Sequence, residues 1–331
     1  MVAAFVRRSL LGLSLLVLSL LFPSAAFAKV RVGVSDWPGW VAWYVAKEQG
    51  YFQRYKADVE LIWFPNYTDS IQALSAGQLD ANSQTWSDTM APLAAGIPLK
   101  VILVNDNSAG NDALMVRPDI HSFADLKGKT VALEQFSVSH FVLATALAKH
   151  GMRMNDVQVV NLAAGDAAAA FLGGRVPAVV VWNPWVNQIQ ASGKGHALFT
   201  SKDMPGLIPD CLVARSPALA DATKRADLAG MVRAWYDTVA YIKTHPQEAA
   251  RIMSKVVGLD VKQYLVFLPG TRFFDEADNR KALLSIHDPL SLVAVAPTII
   301  DFLKQNKLLE GSVDPAQGVD PSLVQQVGGS K

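Results

Sequence analysis

Residues 112–118 read Asp-Ala-Leu-Met-Val-Arg-Pro, and residues 210–217 read Asp-Cys-Leu-Val-Ala-Arg-Ser-Pro. Each passage is an acid, a short apolar run, an arginine and then a proline. A run of this length bounded by polar residues and Pro fits a buried strand. Proline ends it because it has no N–H to give to a ladder. The two passages bracket one block of chain. Before the first, from Lys29, short β-branched runs at 30–34, 59–64, 81–85 and 101–104 alternate with helical stretches at 40–55, 69–76 and 88–95. Between the passages the alternation starts again, with strands at 130–133, 157–162 and 178–182 and helices at 139–150 and 166–171. After Pro217 the pattern is helical almost to the end. Alternation of this kind argues for parallel sheets flanked by helices. Two such series joined by two similar strands predict an α/β chain of two lobes. Residues 29–112 and 216–331 form the first lobe, and 113–215, including both crossing strands, the second. The polar stretch 104–112, VNDNSAGND, reads as a turn at the crossing. Ligands in open α/β sheets sit beyond the carboxyl ends of the strands, so the residues after each strand are the ones to inspect.

The first residues bear on compartment. Arg7 and Arg8 precede a Leu-rich run from Leu10 to Phe22, which closes with Ser24-Ala25-Ala26-Phe27-Ala28. That is a charged region, an apolar core and an A-x-A cleavage site, and the run is shorter than the roughly 20 residues of a membrane-spanning helix. Residues 1–28 therefore read as a cleaved signal peptide, its Leu-rich core matching general secretion better than twin-arginine export, and the mature protein is expected in the periplasm. Its loss takes away Arg7 and Arg8 and no acid, so 30 basic against 29 acidic residues becomes 28 against 29. A near-neutral balance gives no electrostatic footprint for nucleic acid. The single cysteine, Cys211, cannot form an internal disulfide and reads as a small buried hydrophobe.

Several passages then carry a resemblance: GYF at 50–52, SAGQLDA at 75–81, FADLKGKTVAL at 123–133, FLGGRVPAVVVWNPW at 171–185 and THPQEAARIM at 244–253. Together they resemble the substrate-binding proteins of nitrate, sulfonate and taurine type ABC importers (NMT1/THI5-like), a group that shares its fold with the eukaryotic thiamine-pyrimidine proteins. SDWPGW at 35–40 and VNDNSAGND are similar to the subgroup found beside urea carboxylase type genes, whose implied ligands are guanidine or urea. The resemblance implies the type II periplasmic binding protein fold, with a ligand cleft between two lobes and hinge closure. It further implies a monomer without cofactor or catalysis, whose partners are a small-molecule ligand, a permease and its ATPase subunit.

The loops after the strands indicate the ligand. In the first lobe they hold Asp36, Asp69, Asp88, Asp106 and Asp112 with Trp37, Trp40, Tyr67 and Trp86. In the second they hold Glu134, Gln135, Phe136, Ser137, Ser139, His140, Asp166, Trp182, Asn183 and Trp185. None is a lysine or arginine. Carboxylates beside indoles suit a small planar cation, because a guanidinium pairs bidentately with a carboxylate and stacks on an aromatic face. Asp36 and Asp106 or Asp112 are the candidate counter-ions, and Trp37, Trp86 and Trp182 the candidate platforms; Tyr67, Asp88, Phe136, Ser137, His140 and Asn183 complete the candidate site. The alternative is an anion such as a sulfonate, taurine or nitrate, held by Ser137, Ser139 and helix N-termini. Each residue also has a plainer role. Asp69, Asp88 and Asp166 stand where helices begin, as N-caps do. Trp40 and Trp43 read as core, and Asp36 can bond its own turn. Catalysis has little support: there is no H-E-x-x-H or other metal spacing, no G-x-S-x-G and no Walker-type loop. A pyrimidine synthase of the same fold, which consumes its own histidine and a lysine-bound cofactor, fits neither the leader nor the cation-free loops.

Overall fold

In the computed structural model, which describes residues 29–328, eleven strands form two mixed sheets. The signal peptide read in residues 1–28 lies outside the described residues. In chain order the strands are β1 (Val30–Val34), β2 (Val59–Trp63), β3 (Ala81–Thr85), β4 (Leu99–Ser108), β5 (Asp112–Val116), β6 (Thr130–Leu133), β7 (Gln158–Asn161), β8 (Ala178–Trp182), β9 (His196–Thr200), β10 (Pro209–Arg215) and β11 (Thr271–Phe273). The first sheet runs β11-β4-β10-β3-β1-β2 and the second β7-β6-β8-β5-β9. Pairs of β1 with β2 and β3, and of β6 with β7 and β8, are parallel. β10 is antiparallel to β3 and β4, and β5 to β8 and β9. Helices cover the sheets, so inner strands are buried on both faces: all five residues of β8, Ala-Val-Val-Val-Trp, are buried, as are the five of β3, Ala-Asn-Ser-Gln-Thr.

Two expectations need correcting. The passage 210–217 does not belong to the second lobe, because β10 lies between β3 and β4 in the middle of the first sheet. Its apolar run is buried on both faces, and nothing local in such a run names its partner strands. The second sheet is thus drawn wholly from residues 112–200, and the chain crosses between sheets at 109–111 and 201–208. Nor is 104–112 a turn throughout: β4 continues to Ser108, with Asp106 opposite Asp210 on one side and Phe273 on the other. The two ladders satisfy the backbone, so these polar residues sit inside the molecule rather than at its surface.

The expected helix at 40–55 is three short ones, Pro38–Val41, Trp43–Glu48 and Tyr51–Arg54, the last entered through Gly50 at φ 71°. The long helix Ala222–Thr244 packs on them, with Trp235 and Trp43 ring centroids 4.7 Å apart, and so ties the C-terminal part of the chain to the first sheet. Among the described residues no helix is long and apolar enough to cross a membrane.

Candidate functional site

Where the carboxyl ends of the two sheets face each other, a small cavity remains. Trp37, Trp40, Tyr67 and Thr85 line it from the strand ends and loops of the first sheet, Asp112, Val138 and Trp182 from those of the second, Ile208 from the return crossing and Asp210 from the start of β10. It is nearly closed, about 10 Å³, roughly the room one water needs and far below the roughly 300–1,000 Å³ of a common small-molecule pocket, so a solute enters only when the walls move apart. The walls are mainly aromatic. Tyr67 stands edge-on to Trp182 at 5.9 Å and lies 4.9 Å from Trp40, which meets Trp37 edge to face at 6.4 Å. Its lining has no lysine, arginine or histidine.

Three buried carboxyls gather at this point. Asp106 accepts a bond from the Trp37 indole N–H at 3.0 Å and meets the carboxyl of Asp210, while Asp112 lies beside the Ser108 hydroxyl. Burial holds all three above the ordinary carboxylate range, Asp112 at about 7. Asp106 and Asp210 face each other across the ladder, and two carboxyls that close and that deep cannot both ionise. No basic group within salt-bridge distance compensates any of the three among the described residues. Gly39 lets Asp106 fit, since a Cβ there would come 1.7 Å from Asp106 Oδ2. Gly39→Ala is therefore expected to destabilise the protein by about 1–3 kcal/mol, the usual range for overpacking, read as a lower midpoint in urea at unchanged m-value. An unchanged midpoint would mean that Asp106 can move aside.

Asp36, the first candidate counter-ion, has both oxygens taken: Trp182 Nε1–H and Trp185 Nε1–H each donate to it at 2.8 Å. Burial raises its pKa to about 6, while the two indole bonds pull the other way. Asp88 is not a cap of its own helix. Thr85 caps that helix, Trp86–Ala94, and the Asp88 carboxylate accepts from Tyr67 Oη at 2.8 Å and from Val138 N–H at 3.0 Å. Glu134 accepts from Thr68 N–H at 2.7 Å and from Ala164 N–H at 3.3 Å.

The remaining candidates stand apart from the cavity. Trp86 is a core residue whose N–H goes to Leu292 O at 3.0 Å. Phe136, at φ 61°, points outward with 73% of its surface exposed. Ser137 caps the helix Val138–Lys149, accepting from Ser139 N–H and donating to Glu134 O at 2.7 Å. His140 is buried beside it, and burial lowers its pKa. Asn183 bonds Asn111 Oδ1 at 2.8 Å and receives Asn187 N–H, which makes it a brace between a crossing and a helix start. Of the residues singled out in the sequence, Trp37, Tyr67, Asp112 and Trp182 line the cavity. Candidacy from sequence omitted Asp210, which opens the second of the two similar passages just as Asp112 opens the first.

Residues 37–249 match the family model described as NMT1/THI5 like. A protein of Brucella abortus named as a binding protein is 28% identical over 267 residues, covering 77% of this chain and 80% of that one. One of Escherichia coli, named as an aliphatic sulfonates-binding protein, is 24% identical, covering 88% of each. Among solved structures, the alkanesulfonate-binding protein of Xanthomonas axonopodis pv. citri bound to MOPS superposes with a TM-score of 0.75 at 21% identity, over 89% of this chain and 98% of that one. The chain belongs to the NMT1/THI5-like family and has the periplasmic binding protein fold.

Proposed function

We propose that this NMT1/THI5-like protein is the solute-binding component of an ABC importer, binding rather than transforming its ligand outside the cytoplasm. We further propose that the ligand is a small planar nitrogenous solute bringing N–H donors, of which guanidine and urea are the types. The observation that carries the ligand is the buried carboxyls of Asp112 and Asp210, with oxygens in the lining of an aromatic cavity that has no basic side chain. A guanidinium satisfies such oxygens and stacks on Trp37 or Trp182. Asp36 then acts behind the cavity wall, through the indole of Trp182, rather than on the ligand.

The second reading is an anion, and the names of the relatives favour it. Ser139, whose buried hydroxyl has no partner, offers it one donor. The charge of the site opposes it. An anion receptor of this fold class relies on helix N-termini, and here the chain's own carboxylates hold them, Asp88 at Val138–Lys149 and Glu134 at Tyr67–Ser75 and Ala164–Leu172.

Thermal unfolding of the mature protein against millimolar guanidinium, urea, taurine, nitrate and methanesulfonate tests both. A ligand at about 100 times its Kd adds roughly 2.7 kcal/mol, a visible shift in Tm. The pH dependence then separates the charges. A cation that needs ionised Asp112, with its pKa of about 7, binds about tenfold more weakly for each pH unit below that. An anion binds more tightly as the same carboxyls take up protons. A shift with taurine or a sulfonate that grows toward acid, and none with guanidinium or urea, overturns the first reading in favour of the second.

A further inference from the structure

Three carboxylates reach across the mouth of the cavity from one lobe to donors rooted in the other. Asp36, after β1, holds the indoles of Trp182 and Trp185, which stand at the end of β8 and the start of the helix Trp185–Ala191. Asp88 holds Val138 N–H, the first of the helix Val138–Lys149. Glu134, after β6, reaches the opposite way to Thr68 N–H in the first turn of Tyr67–Ser75. Two of the acceptors belong to the first lobe and one to the second, so the bonds interlock. An apolar contact, Phe141 with Phe302 at 6.2 Å, adds to them.

At the back of the cleft, where the chain crosses, the bonds are of a different kind. Asn111 bridges Phe267 O, Thr271 and Asn183, and Ser201 meets Ser108 and Gly110. Among the described residues the crossings 109–111 and 201–208 are the covalent links between the sheets, so any rotation of one lobe on the other turns about them. Bonds to ionised acceptors are about twice as strong as neutral ones, so the three carboxylates hold the lobes more firmly than the amide and hydroxyl bonds at the crossings.

We propose that Asp36, Asp88 and Glu134 are positioning residues that clasp the two lobes shut over the cavity in the ligand-free protein. Solute entry then requires the clasp to open, and its strength sets how long a captured solute stays. The proposal needs only the two-lobed fold and holds whichever solute fills the cavity. Apparent affinity scales with the populated fraction of the competent form, so the clasp adjusts affinity without touching the ligand.

The test follows the indole N–H groups of Trp182 and Trp185 in mature, ligand-free protein labelled with 15N, assigned through Trp182→Phe and Trp185→Phe. Both are expected to exchange slowly with solvent. Asp36→Ala should release both. The decisive variant is Glu134→Ala, which removes no bond to either indole: it is expected to speed both exchange rates at least about tenfold, as loss of a charge-assisted bond across a shared opening requires. The radius of gyration from small-angle scattering should rise with it, and Glu134→Gln, which keeps one acceptor oxygen, should fall between. Fast indole exchange in the unmodified protein, or unchanged rates in folded Glu134→Ala, overturns the clasp. If Glu134→Ala does not fold, Asp88→Asn carries the same test with the same two outcomes.

Discussion

Replacing Asp112 and Asp210 together by asparagine is expected to abolish guanidinium binding and at the same time to raise the unfolding temperature at pH 8. The two effects have one cause. Both carboxyls are almost wholly buried, and among the described residues no cation lies within pairing distance. A buried charge in that position costs free energy that the fold must supply elsewhere. Asparagine keeps the shape, removes the charge and supplies N–H groups to the oxygens nearby. A gain of about 1–3 kcal/mol follows, within the range seen when buried charges are replaced, and Asp112 contributes most of it because its pKa of about 7 leaves it ionised at pH 8. The same substitution removes the negative charge that a cationic ligand needs and turns one acceptor oxygen of each carboxyl into an N–H donor. Two charge-assisted bonds lost together lower affinity on the order of 100-fold or more. Calorimetric titration with guanidinium and thermal denaturation on the same samples read both quantities. Binding that survives would take the two carboxyls out of the site, and a lowered Tm would make them structural groups.

Lowering the pH from 8 to 5.5 is expected to raise the Tm by several degrees. Asp36, Asp88 and Asp112 have pKa values raised by burial to about 6, 7 and 7, and burial raises Glu134, Asp106 and Asp210 as well. The unfolded chain titrates near the ordinary 3.8. Between about pH 4 and pH 7 the folded form therefore holds protons that the unfolded form has released. Stability from these groups is fully present below the ordinary pKa and is lost as pH rises through the folded one, at about 1.4 kcal/mol per pH unit for each proton concerned. Below pH 4 the trend reverses, because Asp125, Glu248 and Asp275 have pKa values lowered by their hydrogen bonds and lose that stabilisation on protonation. Maximum stability thus lies on the acid side of neutrality. A Tm that falls steadily from pH 8 to 5.5 would show that the buried carboxyls are solvated or paired in solution, and Asp112→Asn should flatten whatever slope is found.

Strands at 30–34, 81–85, 130–133 and 178–182 were legible to the residue, because a short run confined by polar and turn residues on both sides has no room to shift register. Partner choice was not legible. Nothing within 209–215 distinguishes a strand that pairs with β5 from one that pairs with β3 and β4, since that contact joins residues more than a hundred positions apart. Polarity misled at 105–108, where Asn-Asp-Asn-Ser has the composition of a loop and the position of an inner strand. In the site, standing at or after a strand end placed Trp37, Tyr67 and Trp182 in the cavity lining. It could not tell what each side chain would meet. Trp86 follows β3 as closely as Trp37 follows β1, yet its indole turns to Leu292, some two hundred residues along. Asp36 was singled out for its charge, and the charge is used, but by two indoles of the same chain. Glu134 lies in a loop, as Asp36 does, and its reach to Thr68 across the cleft is a contact between residues 66 positions apart that no local pattern marks.

The place of β10 also governs the order in which the molecule can be completed as it is made. The second sheet comes from one unbroken stretch, 112–200, and needs nothing from later in the chain. The first sheet cannot join β3 to β4 until residues 209–215 arrive to lie between them, and its far edge waits longer still, for 271–273. A chain delivered N-terminus first holds β3 and β4 with bare edges throughout that interval, the condition in which unpaired strands associate with the wrong partner. The half of the protein that is synthesised first is the half that is finished last.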